Sequence, residues 1–297
     1  MADVTRDDVV GYIRGRRNWG RWGADDQKGA INLITPEKRV QAAGLVRSGR
    51  SVSLSRDVPV LPGRLNPMPA QHFVRLHENA ATDYYGIAYH GYVTTHVDAL
   101  CHVWDSDGMW QGRDPRAEVQ SDGVRFGGIE HWREGITTRG VLLDVPRHRG
   151  VPSVTLDAPV HGDELEANAR AQGVTIEPGD ALVVYSGREA WQRDNPNWSG
   201  YRPPSPGLHA SCLPFVRDHD IAVLVWDLMD AMPNDFGVPW TMHAALYAYG
   251  VALVDNSLLQ PLAEACAEEG RYEFMLTFAP LPFIGGTGSP VNPIALL

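Results

Sequence analysis

Short apolar runs, each bounded by glycine, aspartate or proline, recur through the middle of the chain. Three of them are rich in valine and leucine: RGVLLDV at 139–145, ALVVYSG at 181–187 and IAVLVWD at 221–227. Continuous apolar runs of this length are typical of strands at the core of a sheet. We therefore predict three buried strands here, and a further strand at 51–58, SVSLSRDV.

Helical patterns separate these strands. Thr35 is a candidate N-cap, a proline follows it at the first helical position, and Gly49 offers a stop for this helix. The segment DELEANARAQG at 163–173 is amphipathic and ends in a glycine suited to a helix C-cap. The alternation of strands and helices predicts a mixed α/β fold.

Length and composition fit one domain. The 297 residues contain no repeat, low-complexity tract or obvious linker, and 43% of them are hydrophobic, enough for a large core. We expect a single domain over residues 1–297. The tract NPNWSGYRPPSPG at 195–207 predicts a long irregular loop, for which a pocket wall, a subunit contact and surface filler all remain open.

The charge and the cysteine content limit the classes of partner and the cellular compartment that we expect. The formal net charge is -10 and no run of lysine and arginine occurs, so we expect neither a nucleic acid nor an anionic membrane as partner. The first residues lack the basic start and apolar core of a signal peptide, and no apolar run reaches about 18 residues. Three widely spaced cysteines without a C-x-x-C motif indicate reduced thiols. We expect a cytoplasmic protein.

The stretch AYHGYVTTHVDALCHVW combines three histidines with an aspartate and a cysteine. If 92–98 is extended, His96 and Asp98 share one face and lie about 6 to 7 Å apart, close enough to hold one cation. Imidazole beside carboxylate suits Zn²⁺ or Mn²⁺. His102 has the same parity and can face the same cavity as a general base, whereas Cys101 is expected to point into the core.

His90 is harder to place. On a straight strand it lies about 20 Å from His96, too far for a shared ion unless the chain bends at Gly91. A half-buried strand whose histidines bond to backbone groups explains an isolated H-x-D pattern more simply, so the tripeptide alone does not establish a metal site.

A second candidate group lies in TMHAALYAYGVALVDNSLL. The pattern predicts a short helix from about Thr241, capped by Gly250, and a short return strand that ends at Asp255. The two elements cover similar lengths, so the chain doubles back and His243 can lie near Asp255. A helix-start histidine and a strand-end aspartate that serves as a cap are the alternative.

The window YVTTHVDALCH resembles the pattern H-x-G-T-H-x-D-x-P-x-H of the cyclase family, metal-dependent hydrolases that include bacterial kynurenine formamidase and isatin hydrolase. The matching positions are Thr95, His96, Asp98 and His102. Tyr92 stands where the family has its first ligand histidine, Thr94 replaces glycine and Leu100 replaces proline. Further similar segments, WGADDQKGAINLITPEKR, EPGDALVVYSG, HAALYAYGVALVDNSLL and GGTGSPVNPIAL, extend the likeness over most of the chain.

The resemblance implies a fold and a chemistry. The fold has a mixed, barrel-like sheet with flanking helices, of the swivelling β/β/α type. The chemistry is metal-dependent hydrolysis of a C–N bond in an amide, formamide, imide or lactam, or of a strained lactone, with a divalent ion activating water. The implied core ligands are His96 and Asp98. The implied base is His102.

The resemblance also implies that the motif with His243 and Asp255 contributes to this metal centre. His243 and Asp255, the latter in place of the family's glutamate, complete the site or help to hold a second ion. Trp104 and Trp240 lie near the motifs and suit a small aromatic or cyclic substrate, although core packing explains any single tryptophan more simply. Relatives commonly form homodimers or higher homo-oligomers.

Tyr92 leaves several interpretations open. A phenol is a poor metal ligand, so Tyr92 can instead hydrogen-bond substrate or water while the ion keeps fewer ligands. His90 can supply the missing imidazole through a bend at Gly91. Alternatively, the protein is a polyketide-type cyclase or dehydratase that uses His102 and Tyr92 with metal optional, or a non-catalytic small-molecule binding protein on a decayed hydrolase site.

Overall fold

The computed structural model describes residues 4–199 and 203–297, and a nine-stranded mixed sheet forms the centre of this part of the chain. The strands of this sheet are β1 Ser51–Ser53, β4 His96–Asp98, β7 Ile136–Asp144, β8 Ala181–Tyr185, β9 Val223–Trp226, β10 Ala252–Asp255, β11 Glu273–Phe278, β12 Gly288–Pro290 and β13 Ile294–Leu296. Two separate hairpins pair β2 Gln71–Leu76 with β3 Ala81–Gly86, and β5 Val119–Gln120 with β6 Gly123–Val124. The strand order in the large sheet is β1-β13-β11-β7-β8-β9-β10-β4-β12.

Helices flank this sheet, so the predicted mixed α/β class is confirmed. The α-helices in the described ranges are α1 Arg6–Arg14, α2 Pro36–Ala43, α3 Pro115–Glu118, α4 Val145–Arg149, α5 Gly162–Gln172, α6 Arg188–Asp194, α7 Cys212–Asp218, α8 Ala244–Tyr249 and α9 Gln260–Glu269. Short 3₁₀ turns occupy Gly29–Leu33, Trp110–Gly112 and Ile129–Trp132. None of the helices described is long and apolar enough to cross a membrane.

The centre of the sheet is parallel, and all its residues but Thr137 are buried. Strands β7, β8, β9 and β10 are parallel neighbours, and they contain the three predicted core strands. β4 then pairs antiparallel with β10, in a register that places His96 opposite Asp255 and Asp98 opposite Leu253. Because residues two apart on a strand share a face, the sheet itself brings His96, Asp98 and Asp255 together.

Some predicted boundaries differ from the structure. Thr35 caps α2 as predicted, because its hydroxyl accepts the Lys38 backbone N–H, but the helix ends at Ala43 and not at Gly49. Gly44 turns the chain there, and the Arg271 guanidinium then binds the carbonyl oxygen of Leu45 outside the helix. The predicted end of α5 at Gly173 is confirmed.

The turn between α8 and β10 sets the spacing of the second candidate group. Gly250 ends α8 in the left-handed region at φ 75°, as the sequence predicts, and β10 begins two residues later. The Gly250 carbonyl accepts the Ala30 backbone N–H at 2.7 Å. A Cβ atom added to Gly250 would lie 2.8 Å from the Cα of Gly29 and 2.9 Å from the indole of Trp110. Only glycine therefore fits both the backbone conformation and the space.

Gly250→Ala tests this packing. We expect the free energy of unfolding, measured by urea titration, to fall by about 2–4 kcal/mol, since overpacking is added to the cost of the left-handed conformation. The matched control is Gly173→Ala, a C-cap at φ 70° with nothing within 4 Å of an added Cβ, where a loss of about 1 kcal/mol is expected. Equal losses in the two variants would show that the close approach at Gly250 is unimportant.

Candidate metal centre

A cavity opens at the carboxyl ends of the central parallel strands. Asp227 and Asp230 follow β9, Asp255 ends β10, and Arg188 follows β8, and all four line this cavity. The carboxyl edge of parallel strands is where α/β proteins usually place ligands. The remaining walls include His90, Tyr92, His96, His102, Trp198, Ser205, Trp240 and His243.

Three side chains from β4 and β10 form the first donor group. Donor atoms of His96, Asp98 and Asp255 all lie within 4.8 Å of one another, and all three residues are buried. His96 Nε2 is 3.3 Å from Asp98 Oδ1 and 4.0 Å from Asp255 Oδ2. Asp255 Oδ1 accepts the indole N–H of Trp226 at 2.5 Å, so Asp255 Oδ2 is the oxygen that faces the His96 imidazole. The predicted pair His96–Asp98 therefore has a third neighbour.

Hydrogen bonds fix the tautomer of His96. Its Nδ1 is 2.8 Å from the carbonyl oxygen of Thr94. A carbonyl can only accept, so Nδ1 carries a proton; burial would lower the pKa of His96, but Asp98 and Asp255 raise it, and whenever the ring is neutral the lone pair on Nε2 faces the carboxylates. This arrangement, in which one ring nitrogen is held by an acceptor and the other is presented, is the usual one for a metal-binding histidine.

His243 approaches Asp255 as the sequence analysis predicts. Its Nε2 lies 3.2 Å from Asp255 Oδ2, while its Nδ1 bonds to Asp230. Asp230 also accepts the Thr241 hydroxyl at 2.6 Å and the Met242 backbone N–H at 2.7 Å. Burial alone would lower the pKa of His243, but Asp230 and Asp255 outweigh it and raise that pKa well above the usual value. Without a cation, a proton on Nε2 thus joins His243 to Asp255.

A second donor group shares Asp98 with the first. His90 Nδ1 lies 3.0 Å from Asp98 Oδ1, and His102 Nε2 lies 3.8 Å from Asp98 Oδ2. The rings of His90 and His102 stack with centroids 3.7 Å apart, and His90 Nε2 is 2.9 Å from the Thr287 hydroxyl. Burial lowers the pKa of His102 to about 4, so this imidazole is neutral at neutral pH.

Asp98 gives the clearest indication that this site suits a cation. It is 0% exposed, and neither carboxylate oxygen has a hydrogen-bond partner among the described residues. Burial would raise its pKa, but the imidazoles of His102, His90 and His96 outweigh burial and hold the pKa well below its usual value. A buried anion without hydrogen bonds is costly unless a cation compensates it. The donor set, imidazole nitrogens around a shared carboxylate, fits a divalent ion such as Zn²⁺ or Mn²⁺.

The bend in front of β4 places His90. The chain is extended only at 96–98, not over the predicted 92–98, and turns through 90–94. The imidazole of His90 consequently meets that of His96 at 5.1 Å between centroids, far closer than on a straight strand. Cys101 is buried in the core, as predicted.

The aromatic candidates separate into two groups. Tyr92 lines the cavity and meets the Trp198 ring edge-on at 6.0 Å. Trp240 lines it too, 5.3 Å from the His243 ring. Trp104 is 39% exposed and is absent from the described residues that line this cavity. Trp198 and Ser205 show that the described part of 195–207 forms a pocket wall; positions 200–202 of that tract lie outside the described residues.

Sequence reasoning missed several polar residues of the site. Asp230, which orients His243, and Thr287, which contacts His90, carry no motif of their own. Asp227 is fully buried, accepts the backbone N–H groups of Ser186 and Arg188, and has its pKa raised to about 6 by burial. The one available signal for Asp227 and Asp230 was their position directly after a predicted core strand.

Comparison with known proteins identifies the family. Residues 51–231, more than half of the chain, match the sequence model of the Cyclase family, described as "Putative cyclase". The chain belongs to the cyclase family. The resemblance seen in the sequence is thus confirmed. A comparison with curated proteins finds no match.

Solved structures support the same conclusion for this cyclase-family protein. A novel cyclase has a TM-score of 0.83 at 28% identity, and the match covers 96% of this chain and 99% of that one. Isatin hydrolase A from Labrenzia aggregata, bound to benzyl benzoate, has a TM-score of 0.59 at 16% identity, covering 86% and 94%. A predicted metal-dependent hydrolase from Bacillus stearothermophilus has a TM-score of 0.51 at 12% identity, covering 83% and 97%. The latter two likenesses establish a shared fold alone.

The raised pKa of His243 predicts a pH dependence of stability in the metal-free protein. Its stabilising contribution is complete below the unfolded pKa of about 6.5 and is lost as pH rises through the higher folded value. Urea titrations with a chelator, from about pH 6 to 9, should show unfolding free energy falling with pH. His243→Gln should reduce this slope. An unchanged slope in the variant would contradict the assignment.

Proposed function

We propose that this cyclase-family protein is a metal-dependent hydrolase. Its substrate is a small aromatic or cyclic compound, cleaved at an amide, formamide, imide or lactam C–N bond or at a strained lactone. The observation that carries the proposal is the buried Asp98 carboxylate, which two donor groups share and which lacks hydrogen bonds among the described residues. Two structural neighbours, an isatin hydrolase and a predicted metal-dependent hydrolase, support it.

The residues that would hold a divalent ion are already oriented. His96 and Asp98 are the core ligands, with Asp255 and His243 beside them, and His90 supplies the imidazole that Tyr92 cannot. Zn²⁺ and Mn²⁺ both suit this mixture of nitrogen and oxygen donors. When bound, such an ion supplies Lewis acidity, which polarises a carbonyl group and lowers the pKa of water.

The remaining side chains bind substrate and move protons. His102 is neutral at neutral pH and its Nε2 faces the centre, so it can accept a proton from water and return it to the leaving nitrogen or oxygen. Tyr92 carries a phenol into the cavity, where it can hydrogen-bond a substrate oxygen. Trp198 and Trp240 offer apolar surfaces for a ring.

A second candidate function is cyclisation or dehydration of a polyketide-type substrate, with His102 and Tyr92 as acid and base. The description of the matching family and that of the novel cyclase favour it. The two functions differ in their need for metal, since turnover that survives complete chelation belongs to the cyclase alone.

We place the protein in the cytoplasm as a homodimer or higher homo-oligomer. Its three cysteines are buried and unpaired, which suits a reducing compartment. The hairpin of β2 and β3 supports self-association: all but one of its residues are exposed, and Phe73 and Leu76 are 63% and 85% exposed. An isolated hairpin is marginally stable in water, so packing against a second copy of the chain would stabilise it.

Hydrolysis and its dependence on His102 test the main function. A panel of formamides, imides, lactams and lactones should reveal turnover that a strong chelator abolishes and Zn²⁺ or Mn²⁺ restores. His102→Gln should lower kcat by about 10²–10⁴ while the ion content, measured by elemental analysis, stays unchanged. Loss of the ion would instead make His102 a ligand, and tight binding without turnover would favour a non-catalytic binding protein.

His90 and Tyr92 can be distinguished by metal affinity. We expect His90→Ala to weaken Zn²⁺ or Mn²⁺ binding by at least about tenfold in a chelator competition assay, because an imidazole of the donor set is removed. Tyr92→Phe should leave affinity unchanged and affect only turnover. The reverse pattern would make the phenolate the ligand.

Light scattering after size-exclusion chromatography tests the hairpin. Phe73→Asp places a charge at an exposed aromatic position of the hairpin and should shift the protein toward monomer. Val40→Asp, at a valine 73% exposed on α2, is the matched control and should leave the assembly intact. An oligomer that survives Phe73→Asp would rule out this surface.

A further inference from the structure

We propose that Asn256 is a positioning residue for the metal centre. It holds the turn at 90–94 in the conformation that presents His90 to Asp98. The inference rests on the proposed function, because the position of His90 matters to metal binding only if the centre takes an ion. The role is carried by hydrogen bonds that converge on one buried amide.

The side chain of Asn256 spans both ends of the turn. Its Nδ2 donates to the carbonyl oxygen of Gly91 at 2.7 Å and to that of Thr94 at 3.2 Å. Its Oδ1 accepts from Nη1 of Arg188 at 2.7 Å, and Nη2 of the same guanidinium donates to the carbonyl of Tyr92. Two buried side chains therefore bind three carbonyls of a turn that has no strand partner.

The main chain of Asn256 is fixed as firmly as its side chain. The residue is 0% exposed and directly follows Asp255 at the end of β10. Its carbonyl oxygen accepts from Nε of Arg56 and from the hydroxyl of Thr95, each at 2.9 Å. Its φ of 55° lies in the left-handed region, which asparagine tolerates better than most side chains. An anchored backbone makes the amide a rigid clamp.

The clamp lies next to two of the three imidazoles beside Asp98, those of His90 and His96. Gly91, whose carbonyl it binds, is the residue next to His90. The Thr94 carbonyl, its second acceptor, is the same oxygen that holds the Nδ1 proton of His96. Without the amide donors, the carbonyls of Gly91 and Thr94 would lose these hydrogen bonds and the turn could relax, carrying His90 away from Asp98.

Asparagine has the hydrogen-bonding groups that position 256 requires. Two donors must meet two carbonyls while one acceptor meets a guanidinium, and a primary amide offers that combination. An aspartate has the same shape but no N–H groups, so it would face the carbonyls of Gly91 and Thr94 with lone pairs. Glycine tolerates the left-handed backbone but removes every side-chain bond.

Metal affinity of two Asn256 variants tests the proposal. Purified full-length wild type, Asn256→Asp and Asn256→Gly are freed of metal, and Zn²⁺ and Mn²⁺ dissociation constants are measured by chelator competition, with circular dichroism and melting curves confirming folding. We expect both variants to bind about 10–100-fold more weakly. Asn168→Ala is the control, since Asn168 is equally buried, in α5, outside the cavity lining, and should keep wild-type affinity.

A double-mutant cycle separates positioning from general destabilisation. If Asn256 acts through His90, then Asn256→Gly should cost little further affinity once His90 is alanine. Fully additive losses, or wild-type affinity in folded Asn256 variants, would overturn the inference while the hydrolase proposal stands. Absence of metal binding in the wild type would overturn the proposed function and this inference with it.

Discussion

The structure of the site depends on one buried carboxylate. Asp98 lies in the sheet interior, is fully shielded from water, and has the ring nitrogens of His90 and His96 at 3.0 and 3.3 Å from one of its oxygens. An anion in that position imposes a requirement on everything around it, because its charge must be compensated locally. A protonated imidazole or a bound cation meets that requirement, and the histidines of β4 and of the segments on either side of it can supply the first or hold the second. The fold thus keeps a carboxylate out of water beside the groups that compensate its charge.

The sheet provides the central donors of the site, and the segments that follow the strands complete it. Antiparallel pairing of β4 with β10 puts His96 opposite Asp255, while parallel strands end together and deliver Asp227, Asp230 and Arg188 to one edge. Acceptors outside the donor set, the Thr94 carbonyl and the Asp230 carboxylate, fix which ring nitrogen each histidine presents. Orientation therefore comes from secondary contacts, as in other histidine-rich centres.

Local signals made the scaffold and part of the site predictable. The core strands, the α5 and α8 caps and the approach of His243 to Asp255 follow from patterns within a few residues, where strand parity and glycine conformation dominate. The position of His90 could not be predicted this way. It depends on a turn held by Asn256, 165 residues further along the chain from Gly91, and no local pattern reports such a contact. Trp104 lies outside the described lining of the cavity, since proximity in sequence does not decide which way an exposed side chain points.

The twelve-residue interval between His243 and Asp255 fixes the distance and the relative orientation of these two side chains. It consists of one six-residue helix, a glycine packed against Gly29 and Trp110, Val251, and one four-residue strand. Inserting a residue in the helix would rotate His243 by about 100° relative to the sheet, and inserting one in the strand would turn Asp255 to the opposite face. The length of this segment is consequently less free to vary than the identity of the acid at its end, and the interval itself is a sharper signature of the centre than either residue alone.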